Sequence, residues 1–163
     1  MPGPFLIGID VGTTSVKAAL LDAEGNLHGR WSAPVATVRP GPDRAEQNAQ
    51  DWVNATLAGL AAAADRATDC RIAGIGLCSQ VNTHVFVDAA GEALAPAILW
   101  QDGRCAAEAA ELDARVPEAD RLRWWGAPLP IDASHPLARM GCFARSKPDI
   151  WSRTRWVMAP KDY

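Results

Sequence analysis

The chain has 163 residues, which suits one domain, or one and a part, rather than an assembly of several. Hydrophobic residues make up 48% and charged residues 21%, a composition that fits a packed core and argues against intrinsic disorder. With 13 Arg but only 3 Lys and a formal charge of -3, there is no basic field to hold nucleic acid, and no apolar run is long enough to span a bilayer. The first ten residues, MPGPFLIGID, have no basic segment ahead of their apolar part, so no signal peptide is expected. Cys70, Cys78, Cys105 and Cys142 form no CxxC pair and suggest reduced, buried thiols of a cytoplasmic protein.

Phe5 to Asp10 is a short apolar run that predicts a strand buried on both faces. Gly12-Thr13-Thr14 interrupts it, and Val16 to Leu21 predicts a second strand. The turn signature Asp22 to Asn26 then returns the chain as a third strand over Leu27 to Val38. Three strands joined by tight turns form an antiparallel meander rather than the opening of a Rossmann unit. After a loop rich in Pro and Gly, Asn48 is expected to cap a helix, with Asp51 reaching back toward it. Val53, Leu57, Leu60 and Ala64 supply the apolar stripe of that helix. Ile72 to Ser79 predicts another buried strand, and Val85 to Asp88 and Ala97 to Trp100 predict shorter ones. A helix from about Cys105 to Val116, a second over Pro136 to Ser146 capped by Ser134, and a strand at Trp156 to Met158 complete the pattern. The order is that of an α/β fold with a mixed sheet.

The stretch Ile7 to Lys17, IGIDVGTTSVK, carries the chemistry. Gly12 lets the backbone approach a bulky anion, and the turn's N–H groups and the hydroxyls of Thr13, Thr14 and Ser15 can donate to phosphate oxygens. Asp10 at the strand end suits a hydrated Mg²⁺, which takes few carboxylates and keeps several waters. Lys17 can add a point charge to the phosphates. Taken alone, the short pattern fits equally well a glycine-containing hairpin whose Asp and Thr only satisfy turn hydrogen bonds.

These residues resemble the first phosphate motif of the actin, Hsp70 and sugar kinase superfamily, whose RNase H-like folds begin with this meander. Two later stretches narrow the resemblance to the FGGY carbohydrate kinases. Ile75 to Thr83, IGLCSQVNT, is similar to their strand that ends in Gln and two sugar-contacting residues, and Ala95 to Arg104, APAILWQDGR, resembles a segment of xylulokinase-like members. Glu46-Gln47-Asn48 and the final Pro160-Lys161-Asp162-Tyr163 also match, so the resemblance runs from residue 7 to Tyr163.

The resemblance implies an N-terminal kinase domain over residues 1–163, incomplete at its C-terminus and without the second domain that holds most of the ATP. It implies ATP and Mg²⁺ as cofactors and a sugar or polyol as substrate, in a cytoplasmic protein that engages neither nucleic acid nor membrane, with a homodimer left open. Asp10 takes the place of the Mg²⁺-associated acid, and Gly12, Thr13, Thr14, Ser15 and Lys17 that of the phosphate turn. Gln80, Val81 and Asn82 match the sugar-contacting segment, Trp100 and Asp102 border the cleft, and Asp132 lies near a further sugar position. Glycerol kinases carry Arg-Glu and xylulokinases usually Met-His where this chain has Val81-Asn82, which turns expectation away from glycerol and D-xylulose. Asn82 both donates and accepts, which suits a neutral hydroxyl or carbonyl. The general-base Asp of the family follows a glycine-rich segment that has no counterpart here, so the chain alone is expected to be inactive. A sugar-binding fragment without chemistry, or an Hsp70-like ATP-responsive protein, stands as the alternative. Of the seven tryptophans, most are expected in core or edge packing. Capping by Ser134 is preferred to a Ser134–His135–Asp132 triad.

Overall fold

A computed structural model describes residues 4–67 and 70–163. Met1 to Gly3, the start of the stretch read as lacking a signal peptide, lie outside them. The chain divides into two compact units: residues 1–37, 47–81 and 159–163 form the first, and residues 38–46 and 82–158 the second.

The first unit contains β1 (Phe5–Val11), β2 (Ser15–Leu21), β3 (Leu27–Pro34), the helix α1 (Ala49–Arg66) and β5 (Ile72–Ser79); between β3 and α1 the two-residue strand β4 (Glu46–Gln47) straddles the division. The sheet order is β3-β2-β1-β5, antiparallel across the meander and parallel between β1 and β5. Register places Ile7 beside Leu20, Ile9 beside Ala18 and Val11 beside Val16, so alternate residues of both strands present one apolar face, and these six are buried. α1 covers that face. The expected cap holds: Asn48 accepts from the N–H of Gln50 (3.2 Å) and donates to Asp51 (3.2 Å).

The helix stripe differs from the expected one. Ala49, Trp52, Gly59 and Ala63 are buried, whereas Leu57 is 60% exposed and Ala64 is exposed. Small residues win because the helix backbone lies close to the sheet: a Cβ on Gly59 would stand 2.9 Å from the Trp31 ring and 3.0 Å from the Ala18 methyl. The strand Ile72–Ser79 has its expected bounds but not its expected burial. Among the described residues β5 is an edge of the sheet, with Ile75 58% and Leu77 46% exposed. The opposite face of this sheet bears Gly8, Asp10, Lys17, Ala19, Gly76 and Cys78 around an open depression of about 780 Å³.

The second unit holds β6 (Val85–Val87), β7 (Ala97–Ile98) and the helices α2 (Ala106–Arg115), α3 (Glu118–Trp125), α4 (Pro136–Ser146) and α5 (Pro148–Arg153), followed by β8 (Trp156–Met158). β8 pairs antiparallel with β6. Cys105, Ala109, Ile131, Ala138 and Cys142 form one core cluster; Phe86 and Phe143 stack at 3.9 Å beside Ile98 in another. Cys105 and Cys142 are therefore buried as expected, but Cys78 is exposed. Most tryptophans are also more exposed than expected, with Trp52 buried and Trp100, Trp124, Trp125, Trp151 and Trp156 at the surface. α4 is capped by His135, whose Nδ1 accepts from the N–H of Leu137 (3.2 Å), and not by Ser134, which turns to Asp132.

Two helical glycines respond in opposite directions to the same substitution. Gly59→Ala drives a methyl into the Trp31 ring, and calorimetry of the chain should show a loss of about 1–2 kcal/mol. Gly141→Ala, in α4 with open space at its Cβ, should gain about 0.5–1 kcal/mol from helix propensity. A gain at both positions would mean that α1 does not pack closely on β2 and β3.

Candidate functional site

The tight turn between β1 and β2 has no room for a side chain at position 12. The N–H of Gly12 donates to the carbonyl of Ser15 (3.1 Å), and a Cβ there would come within 2.9 Å of that oxygen. Asp10, adjacent in register to Lys17, keeps a half-exposed carboxylate that accepts from the Lys17 ammonium (3.1 Å). The Cys78 thiol lies 3.7 Å from its other oxygen, and burial together with the Asp10 charge pushes that thiol's pKa up. Among the described residues no cluster of three or more His, Cys, Asp or Glu side chains is arranged around a metal. A single accessible carboxylate is nonetheless what Mg²⁺ needs when phosphate oxygens and waters fill its other positions.

The turn is held from behind by amides. Thr13 donates its hydroxyl to Gln80 (3.1 Å), and Gln80 donates to the Oε1 of Gln47 (3.1 Å). Gln47 is 1% exposed, and its Nε2 donates to the Thr13 carbonyl (2.7 Å) and the Thr37 hydroxyl (3.0 Å). The indole of Trp52 donates to Gln47 as well (2.9 Å). The N–H of Gln80 in turn donates to the carbonyl of Val11 (2.9 Å), which ties the end of β5 to the end of β1. Asp10, Gly12, Thr13, Thr14, Ser15, Lys17 and Gln80 are thus gathered at one end of the sheet. In this position Gln80 supports the turn between β1 and β2. Gln47, visible in the sequence only as part of a motif, turns out to be its hub.

Val81 closes the first unit at 73% exposure, and Asn82 opens the second. Asn82 has φ of 53°, a left-handed conformation that Asn tolerates better than most residues, and it is exposed. Next to it, the buried Thr83 hydroxyl accepts from the N–H of Trp100 (3.1 Å), and the Trp100 ring is half-exposed. Asn82 and Trp100 therefore both present surface, on either side of the bond between the buried Thr83 and the Trp100 backbone.

Asp102 is placed differently. Its side chain is buried, accepting from the N–H of Ala45 (2.7 Å), the N–H of Arg104 (3.0 Å) and the Arg104 guanidinium (2.6 and 2.8 Å). Arg104 also reaches Glu46 (2.7 Å). Burial alone would raise the Asp102 pKa, but the bonds from Arg104 and Ala45 outweigh it and hold the carboxyl below its usual range. The same two carboxylates push the Arg104 pKa up against the cost of burial. Asp102 thus ties the loop before α2 to the loop at Ala45. Asp132 accepts from the N–H (2.8 Å) and hydroxyl (2.7 Å) of Ser134, which forms the turn leading into α4. His135 serves as the cap, so these three residues do not form a triad.

The family model for the FGGY family of carbohydrate kinases, N-terminal domain, matches residues 5–163. The xylulose kinase of Escherichia coli (strain K12) is 34% identical over 157 residues, covering 96% of this chain and 32% of that protein. Among solved structures, the xylulose kinase from Rhodospirillum rubrum superposes with a TM-score of 0.90 at 30% identity, covering 98% of this chain and 33% of that one. A xyloylose kinase from Brucella ovis gives 0.88 at 33% identity, with 98% and 33% covered. The chain spans about a third of the length of these relatives. With the family model matching nearly the whole chain and the fold superposing on these kinases, the chain belongs to the FGGY family of carbohydrate kinases.

Proposed function

We propose that the whole protein transfers the terminal phosphoryl group of MgATP to a hydroxyl of a sugar or polyol, and that this chain supplies the phosphate turn and part of the sugar-binding surface. The observation that carries the reading is the turn at Gly12, too close for any side chain, beside the half-exposed Asp10 in a chain of this family. Asp10 would hold the magnesium ion, which supplies charge neutralisation on the phosphates. The hydroxyls of Thr14 and Ser15 and the N–H groups of the turn after Gly12 would orient the phosphate chain, and Lys17, already within 3.1 Å of Asp10, adds its positive charge.

Relatives named xylulose kinases make a ketose the first substrate class to test. The pair Val81-Asn82 favours recognition of an uncharged hydroxyl or carbonyl, with the Asn82 amide as both donor and acceptor and Trp100 as an apolar wall. Phosphoryl transfer requires nucleophile, phosphate and metal to be aligned with water excluded. The chain spans about a third of its relatives' length, and we expect these 163 residues alone to release no ADP in response to sugar. We take the protein to act in the cytoplasm: its four cysteines are free, and no helix among the described residues is long and apolar enough to cross a membrane.

In the whole protein, Asp10→Asn should lower kcat by about two to three orders of magnitude in a coupled ADP-release assay across a panel of pentuloses, pentitols and hexoses. Full activity of that variant would remove Asp10 from the reaction. At position 82 two substitutions separate the amide from the backbone. Asn82→Gly and Asn82→Ala should each raise the KM for sugar by about tenfold. Only Asn82→Ala, which keeps a Cβ in the left-handed region but loses the short polar side chain that lets Asn tolerate it, should also cost about 1 kcal/mol of stability by thermal denaturation.

A further inference from the structure

Arg139, in the second turn of α4, is fully buried, yet among the described residues no carboxylate forms an ion pair with it. Its donors go instead to the backbone and to one imidazole. Nη1 donates to the carbonyl of Ile98 (2.6 Å) and to Nδ1 of His84 (2.9 Å), Nη2 to the carbonyl of Leu99 (2.5 Å), and Nε to that of Ala133 (3.4 Å). A guanidinium can only donate, so His84 accepts at Nδ1 and carries its proton on Nε2. Burial pulls the Arg139 pKa down to about 10, countered by Cys105, Asp102 and Asp132 and aided by Arg104, which leaves it charged at neutral pH.

Two successive peptide planes are pinned at both ends by these contacts. The plane between Ile98 and Leu99 has its oxygen on Arg139 and on the N–H of His84 (3.0 Å), and its N–H on the carbonyl of Ala45 (3.0 Å). The plane between Leu99 and Trp100 has its oxygen on Arg139 and its N–H on the Thr83 hydroxyl (3.1 Å). Neither plane can rotate without breaking a buried hydrogen bond, which fixes the direction in which Trp100 leaves the strand. Through His84 and Thr83 the same contacts reach the residue after the left-handed Asn82. Packing alone does not explain a cation here, since burying a guanidinium costs free energy that an aliphatic side chain of similar length would not.

We propose that Arg139 is a positioning residue for sugar binding, which sets the backbone at Trp100 and Asn82 from within α4 without touching the substrate. The assignment to sugar binding rests on the kinase reading above; the setting of the backbone does not.

Two measurements keep these separable. In the 163-residue chain, NMR should find the His84 ring neutral to about pH 4, because burial, Arg139 and His135 all disfavour its cation. His84 is neutral in the folded chain but takes up a proton once unfolded, below about pH 6.5. Stability should therefore fall as pH drops from about 6.5 to 4, the interval in which only the unfolded chain binds that proton. Arg139→Met should raise the His84 midpoint by about one pH unit and shift the amide signals of Asn82 and Trp100. Arg139→Lys, which retains a cation but cannot donate to both carbonyls and the imidazole in the same fork, should move them less and serves where the Met variant does not fold. In the whole protein, Arg139→Met should raise the sugar KM about tenfold, leave the ATP KM within about twofold, and be partly rescued by Lys. Folded variants with unmoved Asn82 and Trp100 signals would overturn the positioning role. Shifted signals with an unchanged sugar KM would overturn its link to substrate. A whole protein with no sugar-dependent ADP release would instead overturn the kinase reading while the spectra still decide the backbone role.

Discussion

An amide side chain offers two donors and two acceptor positions, and Gln47 uses all of them: Thr13 and Thr37 take its protons, and Trp52 and Gln80 donate to its oxygen. The first unit depends on this arrangement because the turn between β1 and β2 has few bonds of its own: the N–H of Gly12 donates across it to Ser15, and the rest of its shape is imposed through its carbonyls and side chains. Gln47 grips the carbonyl of Thr13, Gln80 grips its hydroxyl, and the bond from the N–H of Gln80 to Val11 fixes the strand end from which the turn departs. Trp52, buried in α1, anchors the hub in the apolar core, so packing of the helix on the sheet sets the geometry of the turn.

The second unit meets the same problem with charges. Asp102 and Arg104 neutralise one another while joining the loop at Ala45 and Glu46 to the segment after Trp100. Each would be costly to bury alone, and the network stands because, among the described residues, no buried side-chain nitrogen or oxygen is left without a partner. Such bonds are directional, whereas apolar contacts allow sliding. On the proposed reading, in which this segment presents an indole and an amide to a sugar, bonds with fixed angles serve it better than additional methyl groups.

Much of this was legible in the sequence where local chemistry decides it. The meander, the glycine turn, the Asn48 cap and the bounds of Ile72–Ser79 follow from strand patterning, turn residues and capping. The burial of β5 did not follow, because an apolar strand reads the same whether or not neighbours cover it. The helix stripe misled for a related reason: Leu57 and Leu60 have the right period, but close approach to Trp31 and Ala18 favours Gly59 and Ala63. α3 and α5 were missed because they are short, and α3 has no buried residue to give it an apolar face. The functional roles of Gln47, Arg104 and Arg139 were hidden for a further reason. Gln47 and Arg139 bond to carbonyls tens of residues away, Arg104 to the equally distant Glu46 carboxylate, and sequence spacing carries no trace of such bonds.

On the proposed reading, the grip on phosphate and the choice of sugar draw on separate physical devices. Around Gly12 the requirement is for absence: no Cβ, few competing donors and one accessible carboxylate, which together suit any nucleoside triphosphate bearing magnesium. Around Asn82 the requirement is for a specific side chain on a specific backbone angle, and the left-handed φ restricts which residues can occupy that position. On the same reading, a change of residue at Val81-Asn82 would alter the groups offered to a substrate, whereas the Gln47 network runs through Gln80 and Thr13. Substrate preference could then diverge at these two residues without disturbing the turn at Gly12, because Gln80, which ties the end of β5 to β1, is the residue immediately before them.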